Sequence, residues 1–381
     1  MDFQLTDEQR MIRDAARDLA EREIKPRAQA VDETREFPLE NVRRLGENGF
    51  MGMCVDPAYD GAGLDFLSYI LALEEVCAAC AATGVIMSVQ NSLVCGPIER
   101  FGSEDQKRRY LSGLATGKLI GAYCLTEPQA GSDAANQRTT AVKDGDHYVL
   151  NGTKMFVTNG GAADVLVVYT RTDPAAKSRG ITAFLVETKT PGVERSHREK
   201  TMGIRGSSTM EIVFKDARVP AANLLGELNR GYSIALSTLE GGRIGIAAQA
   251  IGIARNALSE ALKYAQEREQ FGHPIAEFQS IQWMLADMAT EVSAAQLLTY
   301  RAAVLRDHGE RCAKEASIAK LYASEVAVRC ADRAVQVHGG YGYIQDFPVE
   351  RLYRDAKITQ LYEGTSQVQR MVIASNLLKG E

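Results

Sequence analysis

The sequence predicts an α+β fold with three consecutive parts: an N-terminal all-α domain over 1–120, a middle β-domain over 121–230 and a C-terminal four-helix-bundle domain over 231–381. Apolar residues recur at helical spacing in the first and last parts, whereas apolar and polar residues alternate in the middle part. At 381 residues the chain is longer than one typical core requires. Because strands do not alternate with helices, a doubly wound α/β fold is not expected.

The N-terminal part opens with a helix-start motif. Thr6 and Gln9 form a capping box, and apolar residues follow at helical spacing. A longer apolar stretch, FLSYILALEEVCAACAATGVIMSVQNSL, is interrupted at Gly84. Its Cys77 and Cys80 form an isolated CxxC without a second pair or histidine partners, so we expect small core residues there and no metal site.

The middle part carries turn and strand signals. Asp144-Gly145 and Asn151-Gly152 predict two hairpin turns. Strands are predicted in ADVLVVYTRT, GITAFLVE and STMEIVFKDARVP. From Gly231 onward the pattern becomes helical again in three long runs, which predicts the C-terminal bundle.

Composition and missing motifs exclude several classes of protein. The net charge of -5 and the lack of a basic stripe argue against nucleic-acid binding. No GxGxxG follows a predicted strand, and no P-loop, HExxH or GxSxG occurs. The longest nearly apolar run, IGIAAQAIGIA at 244–254, is too short to span a membrane. With seven cysteines and no signal peptide, we expect a cytoplasmic protein, or a mitochondrial matrix protein if a transit peptide has been removed.

Three stretches have residues suited to binding or catalysis. GAYCLTEPQAGSDAANQRTTA is a turn-rich polar loop that can offer hydroxyls and backbone N–H groups to a ligand. In KMFVTNGG, alternation along a strand predicts that Phe156 and Thr158 share one face. The segment 336–370 joins a glycine-rich run to Glu363, which precedes a Gly-Thr-Ser turn. Each stretch taken alone also fits an ordinary loop, a core aromatic, a buried structural His338 or a solvated acid.

Together these stretches resemble the acyl-CoA dehydrogenases, from end to end of the chain. GAYCLTEPQAGSD and the segment from Gln336 through YEGTS match the two signature segments of that family in content and order. The resemblance implies an FAD cofactor and α,β-dehydrogenation of an acyl-CoA thioester, in which a base takes the α-proton while a hydride leaves the β-carbon for flavin N5. It assigns the base to Glu363 and the adjacent substrate contact to Gly364. We expect burial to raise the pKa of Glu363.

The resemblance also implies how the substrate is held. The enolate oxygen would be bound by the backbone N–H of the base and by a flavin ribityl hydroxyl. One subset of the family carries its base at a position that is Gly242 here, so that alternative base is absent. Arg243 matches the residue that meets coenzyme A, and Glu240 begins that contact segment.

The remaining site residues are assigned by the same resemblance. Many relatives have Trp where Phe156 stands, which bears on solvent access and electron transfer. Shared cofactor sites imply an oligomer, and the family is usually a homotetramer made of two dimers. The FAD contacts within the subunit are Tyr123, Cys124, Leu125, Thr126, Glu127, Ser132 (which also touches substrate), Phe156, Val157, Thr158, Thr365, Ser366 and Gln367; those reaching a neighbour's FAD are Arg268, Gln279, Gln336, Val337, His338, Gly339 and Gly340.

The substrate is expected to be a straight acyl chain of four to six carbons, with short branched chains as the alternative. ATGVIMSVQNSL resembles short-chain members whose pocket floor lies around 84–88, which makes Ile86 a candidate for chain-length selection. Glutaryl-CoA relatives carry an arginine where this chain has Gly84, which argues against a dicarboxylic substrate. Electrons would pass to an electron-transferring flavoprotein. Rival hypotheses are an acyl-CoA oxidase, a flavin-retaining nucleic-acid-binding relative and a flavin-carrying assembly subunit without catalysis.

Overall fold

The computed structural model describes residues 4–380 and has the predicted α+β architecture, with helices on either side of a central sheet in the chain. The helices are α1 (Asp7–Leu19), α2 (Ala28–Thr34), α3 (Leu39–Glu47), α4 (Phe66–Ala79), α5 (Ala81–Ser88), α6 (Gly96–Phe101), α7 (Glu104–Ala115), α8 (Gly231–Glu267), α9 (Gln279–Asp307), α10 (Ala313–His338), α11 (Val349–Thr359) and α12 (Ser366–Leu378). The strands are β1 (Gly121–Cys124), β2 (Thr140–Asp144), β3 (His147–Val157), β4 (Val165–Arg171), β5 (Ile181–Glu187), β6 (Val193–Arg198), β7 (Met210–Pro220), β8 (Leu224–Leu225), β9 (Glu269–Gln270) and β10 (His273–Pro274).

The N-terminal helices begin as the sequence predicts. The Gln9 N–H donates to Thr6 Oγ1 at 3.1 Å, and the Thr6 N–H donates to Gln9 Oε1 at 3.0 Å, which completes the capping box. One helical run among residues 4–380, Ala81–Phe101, is long and apolar enough to cross a membrane by length and composition. However, 94% of its apolar 18-residue stretch is buried inside the fold. Such burial is typical of a core helix.

The central sheet has two differently packed faces. Its strand order is β6-β7-β3-β2-β4-β5-β8, and β1 pairs with β4 in parallel. On one face Ala122, Cys124 and Leu166 pack into a core of the sheet's own. On the other face Tyr123 and Tyr169 join the large core formed by the helices. The sheet is therefore packed directly on the helical regions.

The second predicted hairpin is wrong. Asp144-Gly145 does lie in the turn between β2 and β3, but Asn151-Gly152 lies inside β3 at a bulge where β3 pairs with β7. The Asn151 side chain donates to Asp216 Oδ1 at 2.9 Å and accepts from the Asp216 N–H at 2.8 Å. Gly152 has φ +146° and passes close to Thr139, so the glycine serves a bulge and not a turn.

The C-terminal helices share one core with the N-terminal helices. Helix α8 packs against α4, α9 and α10. Gly252 permits this contact, because a Cβ there would lie 2.6 Å from the Glu74 carbonyl oxygen on α4. Helices α11 and α12 follow α10, and the six residues between α11 and α12 contain Glu363.

Candidate active site

The turn that carries Glu363 has an unusual backbone held by hydrogen bonds. Glu363 has φ +51° and Gly364 has φ +94°. A left-handed conformation is strained for a non-glycine residue and persists where the surroundings enforce it. Here the side-chain amide of Gln369 donates to the Glu363 and Gly364 carbonyl oxygens at 3.1 and 3.0 Å. The Lys320 ammonium donates to the Gly364 carbonyl oxygen at 2.7 Å. The turn is therefore fixed from α10 and from α12.

The carboxyl group of Glu363 points at α8. A Cβ at Gly242 would lie 2.1 Å from Glu363 Oε2 and 2.9 Å from Leu93 Cδ2. Only glycine at 242 leaves room for this carboxyl group. Oε2 is buried, and no hydrogen-bond partner for it exists among the described residues. A buried polar oxygen without a partner is uncommon and is a mark of a functional group.

The electrostatic surroundings of Glu363 suit a base that works near neutral pH. Burial raises the pKa of Glu363 to about 7, although the nearby Lys320 and Arg243 cations favour the ionised form. A carboxyl group with a pKa near the working pH is partly ionised and still basic enough to take a proton from carbon. The sequence-based expectation of a raised pKa agrees with this environment.

Arg243 is buried on α8 beside the Glu363 carboxyl. Its Nη1 donates to Ser317 Oγ at a long 3.5 Å, and its Nε has no hydrogen-bond partner among residues 4–380. Burial lowers the pKa of the Arg243 guanidinium, and Glu363 and Glu240 oppose that shift. A buried guanidinium with an unused donor suits an anionic or carbonyl-bearing ligand. Glu240 lies half-buried on the preceding turn of α8.

The polar loop after β1 and the end of β3 meet. The Met155 N–H donates to the Thr126 carbonyl oxygen at 2.8 Å, which places Thr126 beside the segment carrying Phe156 and Thr158. The predicted strand alternation of Phe156 and Thr158 is wrong, because β3 ends at Val157 and Phe156 has φ +55° next to a bulge. The Phe156 ring is 62% exposed as a result.

Several predicted cofactor residues turn their side chains into the protein. Cys124 and Val157 lie in the sheet's own core, and Leu125 lies in the helical core. The Glu127 carboxylate accepts from the Thr139 N–H at 3.0 Å and from Lys154 Nζ at 2.7 Å. Only backbone atoms at these four positions are left for a cofactor. Exposed side chains remain at Ser132 and Gln367, while Thr365 caps α12 and Ser366 is buried.

A second group of predicted residues lies together at one end of the bundle. A cavity of about 630 Å³ is lined there by Arg268, Phe271, Val337, Gly339 and Gly340, among others. Gln279, the first residue of α9, stands between two lining residues and is exposed, as is Gln336 near the end of α10. Among residues 4–380, none of those that line this cavity belongs to the Glu363 turn or to the loop after β1.

His338 in this group is a structural residue. Its side chain is buried, its Nδ1 lies 2.8 Å from the Ala334 carbonyl oxygen, and its ring stacks on Tyr264 with centroids 4.2 Å apart. Burial lowers the pKa of His338, which favours the neutral ring. His338 also lines the cavity, so its contact with a cofactor stays a prediction.

The cavity has features that fit a dinucleotide. The Arg268 guanidinium lies over the Tyr341 ring at 5.4 Å, and Arg268 is only half-buried, so it can reach a phosphate. Gly339 has φ +59°, and a Cβ on Gly339 or Gly340 would meet open space, which leaves their backbone accessible. Aromatic faces of Phe271 and Phe278 add surfaces for a planar ring.

Chain-length selection by Ile86 stays a prediction, and helical spacing argues against it. Gly84 and Ser88 face α4 and α8, since a Cβ at Gly84 would lie 2.1 Å from Cys77 Sγ. Thr83 Oγ1 accepts from Asn41 Nδ2 on α3 at 2.9 Å, and Ile86 follows Thr83 by three residues, so helical spacing predicts that Ile86 lies on the α3 side of α5. On the α8 side of α5, close to Gly245, the Tyr69 hydroxyl donates to Ser88 Oγ at 3.3 Å.

Sequence reasoning missed three residues that support the site: Lys320, Gln369 and Lys154. Lys154 and Lys320 are fully buried. Lys320 follows Ala316 by four residues on the buried side of α10, and Lys154 follows Leu150 by four residues on the inward side of β3. A lysine at an inward-facing position of an otherwise apolar pattern was the available signal.

Comparison with known proteins covers the whole chain. Models of the acyl-CoA dehydrogenase N-terminal, middle and C-terminal domains match residues 6–118, 122–217 and 229–378. The short-chain specific acyl-CoA dehydrogenase of Clostridium acetobutylicum is 49% identical over 379 residues, which cover 100% of both chains. Butyryl-CoA dehydrogenase from Megasphaera elsdenii has a TM-score of 0.97 at 46% identity, over 99% of this chain and 100% of that one. A chain solved in work on the electron transferring flavoprotein of Acidaminococcus fermentans and flavin-based electron bifurcation has a TM-score of 0.98 at 48% identity, over 100% of both chains.

Proposed function

Because the chain belongs to the acyl-CoA dehydrogenase family, we propose that it converts a short-chain acyl-CoA to the trans-2-enoyl-CoA and passes the electrons to an electron-transferring flavoprotein. Family membership makes the protein an FAD-dependent oxidoreductase that dehydrogenates acyl-CoA thioesters. A straight chain of four to six carbons is the proposed substrate, and a short branched acyl group is the alternative. The similarity to a short-chain specific enzyme and to a butyryl-CoA dehydrogenase supports this choice.

The observation that carries the proposal is the position of the Glu363 carboxyl. It lies over Gly242, its Oε2 has no hydrogen-bond partner among residues 4–380, and burial raises its pKa to about 7. Glu363 takes the α-proton of the thioester, and the rigid turn keeps the carboxyl directed at α8 during the transfer. The Glu363 N–H stabilises the oxygen that gains negative charge, and Arg243 holds the coenzyme A part of the substrate. FAD, when bound, supplies the acceptor for the hydride from the β-carbon.

The acyl chain is proposed to run along α8 from Gly242 toward Gly245. Gly245 lies one turn further on the same side of the helix, and a Cβ there would lie 2.7 Å from Ser88 Oγ and 3.2 Å from the Tyr69 hydroxyl. These two hydroxyls would close the pocket beyond a short chain. Gly84, packed on Cys77, has no room for the arginine that would pair a second carboxylate.

We expect Gly245→Ala to shift the length profile toward shorter chains. A Cβ at 245 narrows the proposed pocket, and each buried methylene that is excluded is worth about 0.8 kcal/mol. The ratio of kcat/KM for hexanoyl-CoA to that for butyryl-CoA should fall about fourfold per excluded methylene. Ile86→Ala is the control, because helical spacing from Thr83 puts Ile86 on the α3 side of α5. A profile shifted to longer chains in this variant would place the pocket floor at Ile86 and contradict the proposal.

The function as a whole is tested by steady-state assays over a series of acyl-CoA lengths. An electron-transferring flavoprotein and molecular oxygen are offered as separate acceptors. The proposal predicts a maximum at four to six carbons and turnover that depends on the flavoprotein. Equal turnover with oxygen alone would favour an acyl-CoA oxidase, and a preference for branched substrates would favour the alternative acyl group.

An FAD site shared between subunits, in a homotetramer made of two dimers, is also proposed. The support is that Arg268 and the backbone of 339–340 line a cavity separate from the Glu363 turn. We expect Arg268→Ala to lower FAD occupancy and to weaken the dimer together, since a guanidinium pairs a phosphate through two hydrogen bonds. Flavin absorbance per protein and sedimentation would measure both. The exposed Arg22, in the π-helical turn directly after α1, provides the control Arg22→Ala. Full flavin content in Arg268→Ala would count against a shared site.

A further inference from the structure

We propose that Lys320 is a positioning residue for the reaction: it holds the Glu363–Gly364 turn and supplies the positive charge that keeps the Glu363 carboxyl ionised. This inference rests on the proposed role of Glu363 as the base. Lys320 lies on α10, forty-three positions before Glu363 in the chain, and the two meet only in the folded protein.

The position of Lys320 is unusual for a lysine. Its side chain is fully buried, whereas lysine is rarely buried without a partner of opposite charge. Its hydrogen bond is to a neutral group, the Gly364 carbonyl oxygen at 2.7 Å. A carbonyl partner alone does not compensate for the burial of an ammonium group. The compensating negative charge is the Glu363 carboxyl, the adjacent residue in the same turn.

The turn itself needs the bond that Lys320 makes. Glu363 and Gly364 both have positive φ, and their carbonyl oxygens point back toward the helices. The Gly364 oxygen is held from two sides, by Lys320 on α10 and by Gln369 on α12. With its carbonyls held, the turn directs the Glu363 carboxyl at Gly242. Lys320 therefore acts on the base through the backbone as well as through its charge.

The charges around Glu363 favour its ionised form. Lys320 and Arg243 both lower the pKa of Glu363 against the effect of burial. Burial lowers the pKa of Lys320 to about 7, and Glu363 counteracts that shift, so each charge favours the other. Three tyrosine hydroxyls also interact electrostatically with Glu363: Tyr69 on α4, Tyr123 on β1 and Tyr362 next to the base. Burial raises the pKa of each tyrosine, so all three stay neutral near pH 7.

Arg243 and Lys320 have separable roles. Arg243 lies on α8, and its Nε has no hydrogen-bond partner among residues 4–380. Because Arg243 is proposed to bind the coenzyme A part of the substrate, its positive charge pairs with the substrate in the complex. Lys320 is fully buried behind the turn and donates to the backbone carbonyl oxygen of Gly364, the residue that follows the base. In the substrate complex, Lys320 is thus the cation that stays with the base.

The test is the pH dependence of flavin reduction by butyryl-CoA in the FAD-loaded enzyme and in Lys320→Met. The midpoint of the rate profile should rise by about one pH unit or more, because the positive charge that favours the ionised Glu363 carboxyl is removed. The rate should fall about tenfold at pH 6 and recover as the pH rises above the new midpoint. Lys320→Arg, which retains the charge, should restore the wild-type midpoint.

Gln369→Leu is the matched control. It removes the other donor to the same turn without changing any charge. Rates are expected to fall at every pH in this variant while the midpoint stays in place. A readout independent of turnover is the infrared band of the protonated Glu363 carboxyl, identified by its loss in Glu363→Gln and followed over pH. An unchanged midpoint and an unchanged infrared titration in Lys320→Met would overturn the inference.

The roles of Lys320 and Glu363 are rejected by different results. Loss of flavin reduction in Glu363→Gln with no midpoint shift in Lys320→Met would reject the role of Lys320 alone. Retention of flavin reduction in Glu363→Gln would reject the base itself. Should Lys320→Met lose its fold, the comparison of Lys320→Arg with Gln369→Leu still decides between a charge effect and a packing effect, because a shifted midpoint in the arginine variant contradicts the proposal.

Discussion

Glu363→Gln should reduce the rate of flavin reduction by acyl-CoA at least 10²–10⁴-fold, the range typical for removal of a general base. Glutamine has nearly the same size, so the turn held by Lys320 and Gln369 should stay intact. It cannot accept the α-proton, and a hydride does not leave the β-carbon until negative charge develops at the α-carbon. Both bond cleavages therefore depend on this one carboxyl.

Anaerobic stopped-flow mixing with butyryl-CoA measures this effect as bleaching of the oxidised flavin band. Exchange of the α-hydrogen in D₂O, using an analogue that cannot be oxidised, separates proton abstraction from hydride transfer. Glu99→Gln is the control, since Glu99 is another partly buried carboxyl, with a pKa raised by burial, that bonds the Asp56 N–H. Bleaching near the wild-type rate in Glu363→Gln would move the role of base to another acid. Gly242 offers none at the alternative position.

Wild-type flavin reduction should also depend on pH through the same carboxyl. The pKa of Glu363 is raised to about 7, so the base is protonated and inactive below that pH and becomes ionised above it. The rate of flavin reduction by butyryl-CoA, followed by anaerobic stopped-flow at a series of pH values, should therefore rise as the pH passes through about 7.

Lys154→Met should destabilise the fold by about 3–5 kcal/mol, the usual effect of leaving a buried charge without its partner. The Lys154 ammonium bonds Glu127 Oε1 at 2.7 Å, Gln137 Oε1 at 2.8 Å and the Leu125 carbonyl oxygen at 3.1 Å. Burial opposes ionisation of Glu127, but Lys154 and the backbone donors outweigh it and hold the pKa of Glu127 below its usual value. This network ties the polar loop after β1 to β3, so FAD occupancy should fall along with stability.

Denaturant unfolding and flavin content measure the two effects of Lys154→Met. Adding Glu127→Gln to Lys154→Met removes both buried charges. Most of the stability that Lys154→Met loses should therefore return in this double variant. If the single and double variants unfold at the same denaturant concentration, the ion pair does not carry the stability of this loop.

The sequence predicted local features well where a short pattern decides the structure. The capping box at Thr6 and the turn at Gly145 formed as expected, because neighbouring residues alone satisfy their hydrogen bonds. Asn151-Gly152 has the same composition as a turn but became a bulge, since the Asn151 side chain found Asp216 on a strand that comes sixty-five positions later. Phe156 left the strand alternation for a related reason, a bulge set by pairing with β7.

The sequence by itself determined the α+β fold class, the family and its FAD cofactor, and it singled out Glu363 as the candidate base. The folded chain alone decided which groups act on that carboxyl. Gly242, Arg243, Lys320 and Gln369 are separated along the chain and converge on one turn. It also decided that Cys124 and Glu127 point inward. The physical reason is that burial and the distance between charges set a pKa, and both depend on contacts between residues far apart in the sequence.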